Sequence, residues 1–366
     1  MKFVLFHQSF TSRWDHGNIR FLRSIARTLD RRGHHVAMYQ PGNGPIDRSV
    51  AYGLRIDTFD HHLLDLDQAL DGADAVIVHE CNSRELIRYL GRRRSMGGHF
   101  QLIFYDTHHR AITMPNEFDH FDLDAFDAIL AGAEILREAY VTRGWGRRVV
   151  TWHEAADARH FTPRPQATPD TDVVWIGNWD DHGCDRDFDN LVIGPVATLG
   201  LRARLYGVRC PGNSHARLHR HGIVFDGWIP DEQAPLALAR GRAVIDVPHP
   251  VFRPSLPGAP TSRMFEALAC GVPLLSAGWD DSEGLFHAGS YLTVADSDEC
   301  AVALMLLMQD RDLAAGMAGI GLCSILARHT CDHRVAELMG FIESLAPGRT
   351  QRHPSLAREH PLTIAS

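Results

Sequence analysis

Short apolar runs alternate with stretches of helical spacing along most of this chain, and that alternation restricts the fold more than any other feature. KFVLFH reads as a strand, and the polar loop SFTSRWDHGN follows it. IRFLRSIARTLDRRG then carries Phe21, Leu22, Ile25 and Leu29 on one helical face and closes at Gly33. HHVAMYQ, ADAVIVHE and FQLIFYDTHH are further apolar runs. FDAILAGAEILREAYVTRGW reads as a strand then a helix, and RRVVTWHEA as the last strand of this half. Strands separated by helices imply a parallel sheet covered on both faces. Ligands of such sheets bind beyond the carboxyl ends of the strands. His16, Glu80, Asp106 and His108 fall there.

The pattern starts again at DVVWIGN and continues through LRARLYGV, GIVFDGW, RAVIDVP and VPLLSAG. ECAVALMLLMQ and GLCSILARHTCDHRVAELMGFIESL supply the closing helices. Between the two series, DARHFTPRPQATPDT has three prolines and little apolar content, the mark of a linker. A chain of 366 residues suits two domains of ordinary size. The expected division is an N-terminal Rossmann-like domain over 1–155, a linker over 156–171 and a second Rossmann-like domain over 172–346. Whether the last helix packs back on the first domain is left open. The tail 347–366 has no apolar period and is expected to be disordered. The fold class is α/β, with two parallel sheets facing across a cleft.

Composition removes several functions. No apolar run is long enough to span a bilayer, and MKFVLFHQSF lacks a signal-peptide layout, so a soluble cytoplasmic protein is expected. Seven cysteines at irregular spacing, with no CxxC pair, fit a reducing compartment. The net charge of −8 and the lack of a lysine-rich segment argue against nucleic acid as a partner. Lys2 is the only lysine, which excludes an internal P-loop or Schiff-base lysine. Phosphate recognition must fall to arginine and to backbone N–H groups. The pairs HHV, HHL and HHR lack metal-ligand spacing and no HExxH occurs, so no metal is expected. The WDDSE stretch at 279–283 reads as a surface turn or a donor-facing loop rather than a Mg²⁺ site.

Three segments carry chemistry. In PGAPTSRMFEALACGVPLLSAGWDD, Thr261 and Ser262 stand where a helix begins, and Gly271 stops it after Ala269 or Cys270. A helix N-terminus offers unpaired N–H groups and partial positive charge, so an anion suits Thr261, Ser262 and Arg263. Glu266, one turn on, can accept from ribose hydroxyls or pair with Arg263 at i, i+3. In VVWIGNWDDHGCDRDF, a strand ending at Gly177–Asn178 precedes Arg186 near a helix start, which can gather backbone N–H groups and a guanidinium on a phosphate. The competing reading pairs Arg186 with Asp185, Asp187 or Asp189 on the surface. QLIFYDTHHR ends a strand with Asp106, His108 and His109. Gly17 would let backbone approach phosphates once the halves close, with His16 and Asn18 facing donor or acceptor; alternatively it serves only the strand–helix turn. Glu80 suits acceptor hydroxyls or a helix cap.

The glutamate followed by A-L-A-C-G-V-P resembles the C-terminal signature of the group-1, or family 4, glycosyltransferases. GIVFDGWIPDEQAPLALARGRAVIDVP resembles their approach to the base pocket. Asp157, Phe161 and Pro163 in WHEAADARHFTP match their D-x-x-x-F-x-P, and HGNIRFLRSIARTLDRRGHHV resembles their N-terminal glycine loop, helix and R-G-H-x-V. The resemblance implies a GT-B fold and transfer of a sugar from a nucleoside-diphosphate donor held mainly by the C-terminal half. The acceptor would be a glycan, a lipid-linked or a small-molecule compound, with peripheral membrane contact left open. The base would lie near Trp228, Ile229 and Pro230, the ribose on Glu266, and the diphosphate between Asn178, Arg186 and the Thr261–Arg263 turn. His108 matches the histidine that meets the sugar, with His109, His16, Asn18 and Glu80 toward the acceptor. Relatives add a lysine after the residue matched by Arg186, a task left here to Arg209 or Arg263. Retention of configuration without a metal is implied, the departing phosphate assisting acceptor deprotonation; an inverting reaction would need Glu80 or Asp106 as base. One departure is Gly258, where relatives carry a first glutamate. The short PTSR form looks more like the spore-coat glycosyltransferase branch. An epimerase of the same fold and a non-catalytic nucleotide-sugar binder are the alternatives.

Overall fold

The computed structural model describes residues 1–11, 17–42, 53–59, 66–179, 184–210, 214–248 and 252–345, and the two series form two parallel sheets. The first sheet contains β1 (Lys2–Phe6), β2 (His35–Pro41), β3 (Ile56–Phe59), β4 (Ala75–His79), β5 (Gln101–Asp106), β6 (Ala128–Ala131) and β7 (Val149–Thr151). Their order is β3-β2-β1-β4-β5-β6-β7. The second contains β8 (Thr171–Asn178), β9 (Ala203–Val208), β10 (Ile223–Gly227), β11 (Gly241–Asp246), β12 (Leu274–Ala277) and β13 (Leu292–Val294), in the order β10-β9-β8-β11-β12-β13. Two strands escaped the sequence reading. β3 is four residues long with two adjacent polar residues, Asp57 and Thr58, at its centre, and β13 is only three residues long.

Alternation along the strands assigns each sheet two cores. Phe3 and Leu5 of β1 face one cluster, Val4 and Phe6 the other. In β8, Val173 and Trp175 divide from Val174 and Ile176 in the same way. The helix α1 (Gly17–Arg31) covers one face of the first sheet with Phe21, Leu22, Ile25 and Leu29. In the second half, α2 (Ser262–Ala269) closes at Gly271, whose φ of +64° is one that side-chain-bearing residues adopt at a cost.

The closing segment forms two helices, α3 (Arg311–Arg328) and α4 (Cys331–Leu345), broken at His329 and Thr330. There Thr330 bridges to Ala156. The helix α4 leaves the second half and packs on α1, its Cys331, Val335, Leu338 and Ile342 joining the first-sheet core. Trp152 Nε1 donates to the Arg334 carbonyl at 3.1 Å in the same place. Among the described residues, no helix is long and apolar enough to cross a membrane. His16 and the tail from residue 347 lie outside the described residues.

Candidate active site

In both sheets the strand order reverses next to a central strand, between β1 and β4 in the first and between β8 and β11 in the second. Such reversals open crevices at the carboxyl ends of strands. One cavity of about 880 Å³ reaches both. From the first sheet it takes His7 and Gln8 after β1, Glu80 and Cys81 after β4, and Thr107 to Arg110 after β5. His153 and Glu154 follow β7 into it. From the second sheet come Asn178 at the end of β8, Arg209 after β9, Val247 and Pro248 after β11, and the turn Thr261–Ser262–Arg263.

The wall from the second half is organised around Asp246, the last residue of β11 and 1% exposed. Its Oδ2 accepts from the Thr261 hydroxyl at 2.9 Å and its Oδ1 from Arg263 Nε at 3.0 Å. Thr261 therefore does not cap α2 with its side chain. Met264 N–H donates to the Thr261 carbonyl at 3.1 Å, while the amides of Ser262 and Arg263, residues of the cavity wall, have no acceptor within the helix. Asn178 and Arg209 join this wall from the ends of β8 and β9, which pair in parallel as far as Asn178 and Val208 and approach closely at Gly177 and Gly207. A Cβ on Gly207 would lie 1.8 Å from the Gly177 carbonyl oxygen. Arg209 has φ +62°, the only positive value for a non-glycine among the described residues. Backbone in that region costs roughly 1–3 kcal/mol and concentrates at functional sites.

The opposite wall is titratable. Asp106 is fully buried; its Oδ1 accepts from the His108 backbone N–H and its Oδ2 from the Tyr140 hydroxyl, each at 2.7 Å. Burial, with the nearby Glu80, pushes the Asp106 carboxyl up to about 8. Glu80 is itself raised by burial, opposed by the Arg110 guanidinium that its carboxylate accepts from. The His108 and His109 rings lie against each other at a tilt of 36°, centroids 4.2 Å apart, and His109 Nδ1 lies 2.8 Å from the Thr113 hydroxyl. Below them His7, His79 and Cys81 bring three ligand-type atoms within 4.8 Å of one another. That set is a poor metal centre. His79 is engaged through Nδ1 by the Cys81 amide and through Nε2 by Thr107, while burial pushes the thiol up to about 12, where it stays protonated.

Contacts across the cleft give the junction its shape. Arg20 and Arg23 of α1 pair with Asp231, and Arg20 Nη1 also reaches Glu266 Oε2 at 2.6 Å. His153 Nε2 lies 2.9 Å from Glu283 Oε2. Glu154, on the cavity wall, is pushed up to about 8 by burial and by Glu266.

Of the residues expected from sequence, the cavity brings together His108, His109, Glu80, Asn178, Arg209, Thr261, Ser262 and Arg263. Others lie elsewhere. Arg186 is exposed on the short helix Cys184–Phe188 and does not line the cavity. Its neighbour Asp189 pairs with Arg217. Trp228, Ile229 and Pro230 also lie off the cavity wall, and Ile229 is 8% exposed within the core of the second half. Glu266 sits behind the wall, paired with Arg20 rather than with Arg263. Gly17 opens α1 instead of lying in the preceding loop, and Asn18 follows it in the helix. Arg20, Glu154, Asp231 and Asp246 were not singled out from sequence. Their partners are distant in the chain, and only the general rule that strand ends carry function points at Asp246 and Glu154.

Residues 186–340 match the family model described as Glycosyl transferase-like. No curated protein matches the sequence. Among solved structures, the sucrose-phosphate synthase of Thermosynechococcus elongatus is 14% identical with a TM-score of 0.66, over 94% of this chain and 98% of that one. Anabaena HepE in complex with UDP and glucose is 15% identical with a TM-score of 0.67, over 94% and 100%. An α-glucosyltransferase in complex with UDP and a 13-mer DNA containing an HMU base is 13% identical with a TM-score of 0.68, over 94% and 99%. The chain has the GT-B fold: two parallel α/β sheets opposed across a cleft.

Proposed function

We propose that this chain is a glycosyltransferase, moving a sugar from a nucleoside-diphosphate donor to an acceptor across the cleft. The observation that carries the reading is one cavity touching both strand-order reversals, with an arginine-bearing helix start on one wall and a histidine pair on the other. The family match covers Arg209, Thr261, Ser262 and Arg263, the wall on which the diphosphate would lie. A UDP-sugar is the first donor to try, because the HepE and α-glucosyltransferase neighbours hold UDP.

In this reading residues 172–346 form the donor side and 1–155 the acceptor side. Arg263, steadied by Asp246, and Arg209 take the diphosphate together with the amides of α2. Arg186 drops out of that task. Hydrogen bonds to charged groups contribute about 1.5–3 kcal/mol each. Two or three converging on the leaving group supply a substantial part of catalysis. That charge supports a metal-independent transfer, as does Asp281, whose carboxylate is already engaged by the Leu285 and Phe286 amides.

His108 would orient the sugar. Retention is supported by the state of the two candidate bases: Asp106 is enclosed and bonded to the His108 amide and Tyr140, and Glu80 is held by Arg110. The departing phosphate is then the group positioned to take the acceptor proton. The acceptor wall, built of hydroxyl, imidazole and carboxyl groups, suits a polyhydroxylated acceptor, and the net charge of −8 disfavours DNA.

The test is a thermal-shift screen over UDP-, GDP-, ADP- and TDP-sugars, followed by product analysis with the stabilising donor and a set of glycan acceptors. A ligand bound only by the native state raises the melting temperature. Transfer to an acceptor with the donor configuration kept supports the proposal. An epimerised donor formed without acceptor, or binding without turnover on any acceptor, would replace it.

A further inference from the structure

Two carboxyl side chains among the described residues line the cavity, Glu80 and Glu154, and the reaction outlined above gives the second no task. Glu80 accepts from the Arg110 guanidinium. Glu154 makes no hydrogen bond and no ion pair among the described residues. It is half-buried, and its oxygens keep access to the cavity rather than being sealed inside the protein. Polar groups in protein interiors are nearly always bonded. One that opens on a cavity with no protein partner is placed to bond what enters it.

The backbone on either side of Glu154 is fixed. Just before it, His153 Nδ1 lies 3.1 Å from the Gly132 carbonyl and its Nε2 2.9 Å from Glu283 Oε2. Just after it, the Ala156 amide donates to the His329 carbonyl at 3.0 Å. Partners from both halves thus hold the segment that carries the side chain. Charge indicates which part of a substrate meets it. Burial and then Glu266 push the carboxyl up, to about 8, while Arg263 and Arg20 pull it down. Arg263 belongs to the diphosphate wall, so Glu154 stands beside the group that the diphosphate carries. A carboxylate there would repel the diphosphate, whereas a protonated carboxyl donates through its O–H and accepts through its C=O. A sugar hydroxyl, which also donates and accepts, is its complement.

We propose that Glu154 reads the transferred sugar, its carboxyl holding one sugar hydroxyl while the diphosphate lies on Arg263. This rests on the donor reading above. A site built to bond a hydroxyl rejects the analogue that lacks it, because the site's own polar group is then left unpaired. Glu154 is in this way a specificity-determining residue, contributed by the first half to a donor held by the second.

Calorimetry on wild type, Glu154→Met, Glu154→Gln and Glu154→Ser tests this. The probes are UDP-, GDP-, ADP- and TDP-glucose, their 2-, 3-, 4- and 6-deoxyglucose forms, and the free nucleoside diphosphates. For the base that binds, removing one particular hydroxyl should weaken wild-type binding by about tenfold. Glu154→Met keeps the length of the side chain and loses both hydrogen-bonding functions. There the penalty should shrink to about twofold or less, with affinity for the free nucleoside diphosphate unchanged. Glu154→Gln, which still donates and accepts, should keep most of the penalty. Since no protein partner is lost, the unliganded melting temperature of Glu154→Met should not fall. An undiminished penalty in Glu154→Met overturns the proposal, and so does equal weakening of sugar nucleotide and free diphosphate. Should that variant not fold, an undiminished penalty in Glu154→Ser, whose side chain is too short to reach, does the same. Wild type that binds nucleoside diphosphate but is indifferent to every sugar hydroxyl overturns the proposal and leaves the donor reading standing. Wild type that binds no nucleoside diphosphate removes the donor reading, and this proposal falls with it.

Discussion

The two walls of the cleft are built on opposite electrostatic plans. On the second-half wall, Arg263 is held by Asp246, Arg209 sits on strained backbone beside the β8–β9 close approach, and α2 presents its first amides. On the first-half wall, Asp106 and Glu80 have pKa values raised by burial, and histidines lie above them. One wall is fit to grip an anion; behind the other, burial pushes the Asp106 carboxyl up to about 8. A transferase that must retain a diphosphate while handling hydroxyl groups needs both, and the sheets supply one each.

The sharpest way to break the comparison is Arg263→Gln. If the second-half wall holds the leaving group, kcat/KM should fall about a hundredfold, the upper end of one lost charged hydrogen bond, with donor affinity falling and the fold intact by circular dichroism. His108→Ala should act on the other wall, lowering kcat about tenfold while donor KM stays nearly constant, as steady-state kinetics with saturating acceptor would read. Equal effects of the two variants on donor KM would erase the distinction between the walls.

Asp106→Asn sharpens the contrast through pH. A native carboxyl pKa of about 8, against an ordinary value of 3.8, means that the folded state binds more protons than the unfolded state between those limits. Wild-type stability therefore declines as pH rises from about 4 to about 8 because of this group, and levels off above that. Asparagine can still accept from the His108 amide and meet the Tyr140 oxygen. The variant should thus gain stability relative to wild type as pH climbs, by about 1–3 kcal/mol in urea titrations at pH 8 compared with pH 5. A difference independent of pH would mean that Asp106 is ionised in the fold. The smallest effect belongs to Arg186→Gln: an exposed residue off the cavity wall should change transfer by no more than about twofold in the same assay.

Periodicity made the architecture legible. The apolar face of α1 and the buried runs of β1, β4 and β5 signal themselves locally, and the Thr261–Gly271 segment carries both a helix start and its stop. What sequence could not reveal was partnership. Nothing near Glu266 signals that Arg20, 246 residues earlier, will take its carboxylate, or that Arg23 will hold Asp231 over 208 residues. Arg186 looked suited to a phosphate because a strand end precedes it and it stands near a helix start; the direction in which a short helix turns its one arginine is a tertiary matter. The final helix is a similar case. Its apolar stripe is evident, yet only the structure assigns it to the first-half core.

A calorimetric ladder of nucleoside, nucleoside monophosphate and nucleoside diphosphate on wild type and Arg263→Gln tests most directly whether the second-half wall is a diphosphate cradle. Wild-type affinity should climb by about tenfold or more with each phosphate, and the climb should largely vanish in Arg263→Gln while nucleoside affinity is unchanged. A wild-type ladder with no rise from nucleoside to diphosphate would contradict it.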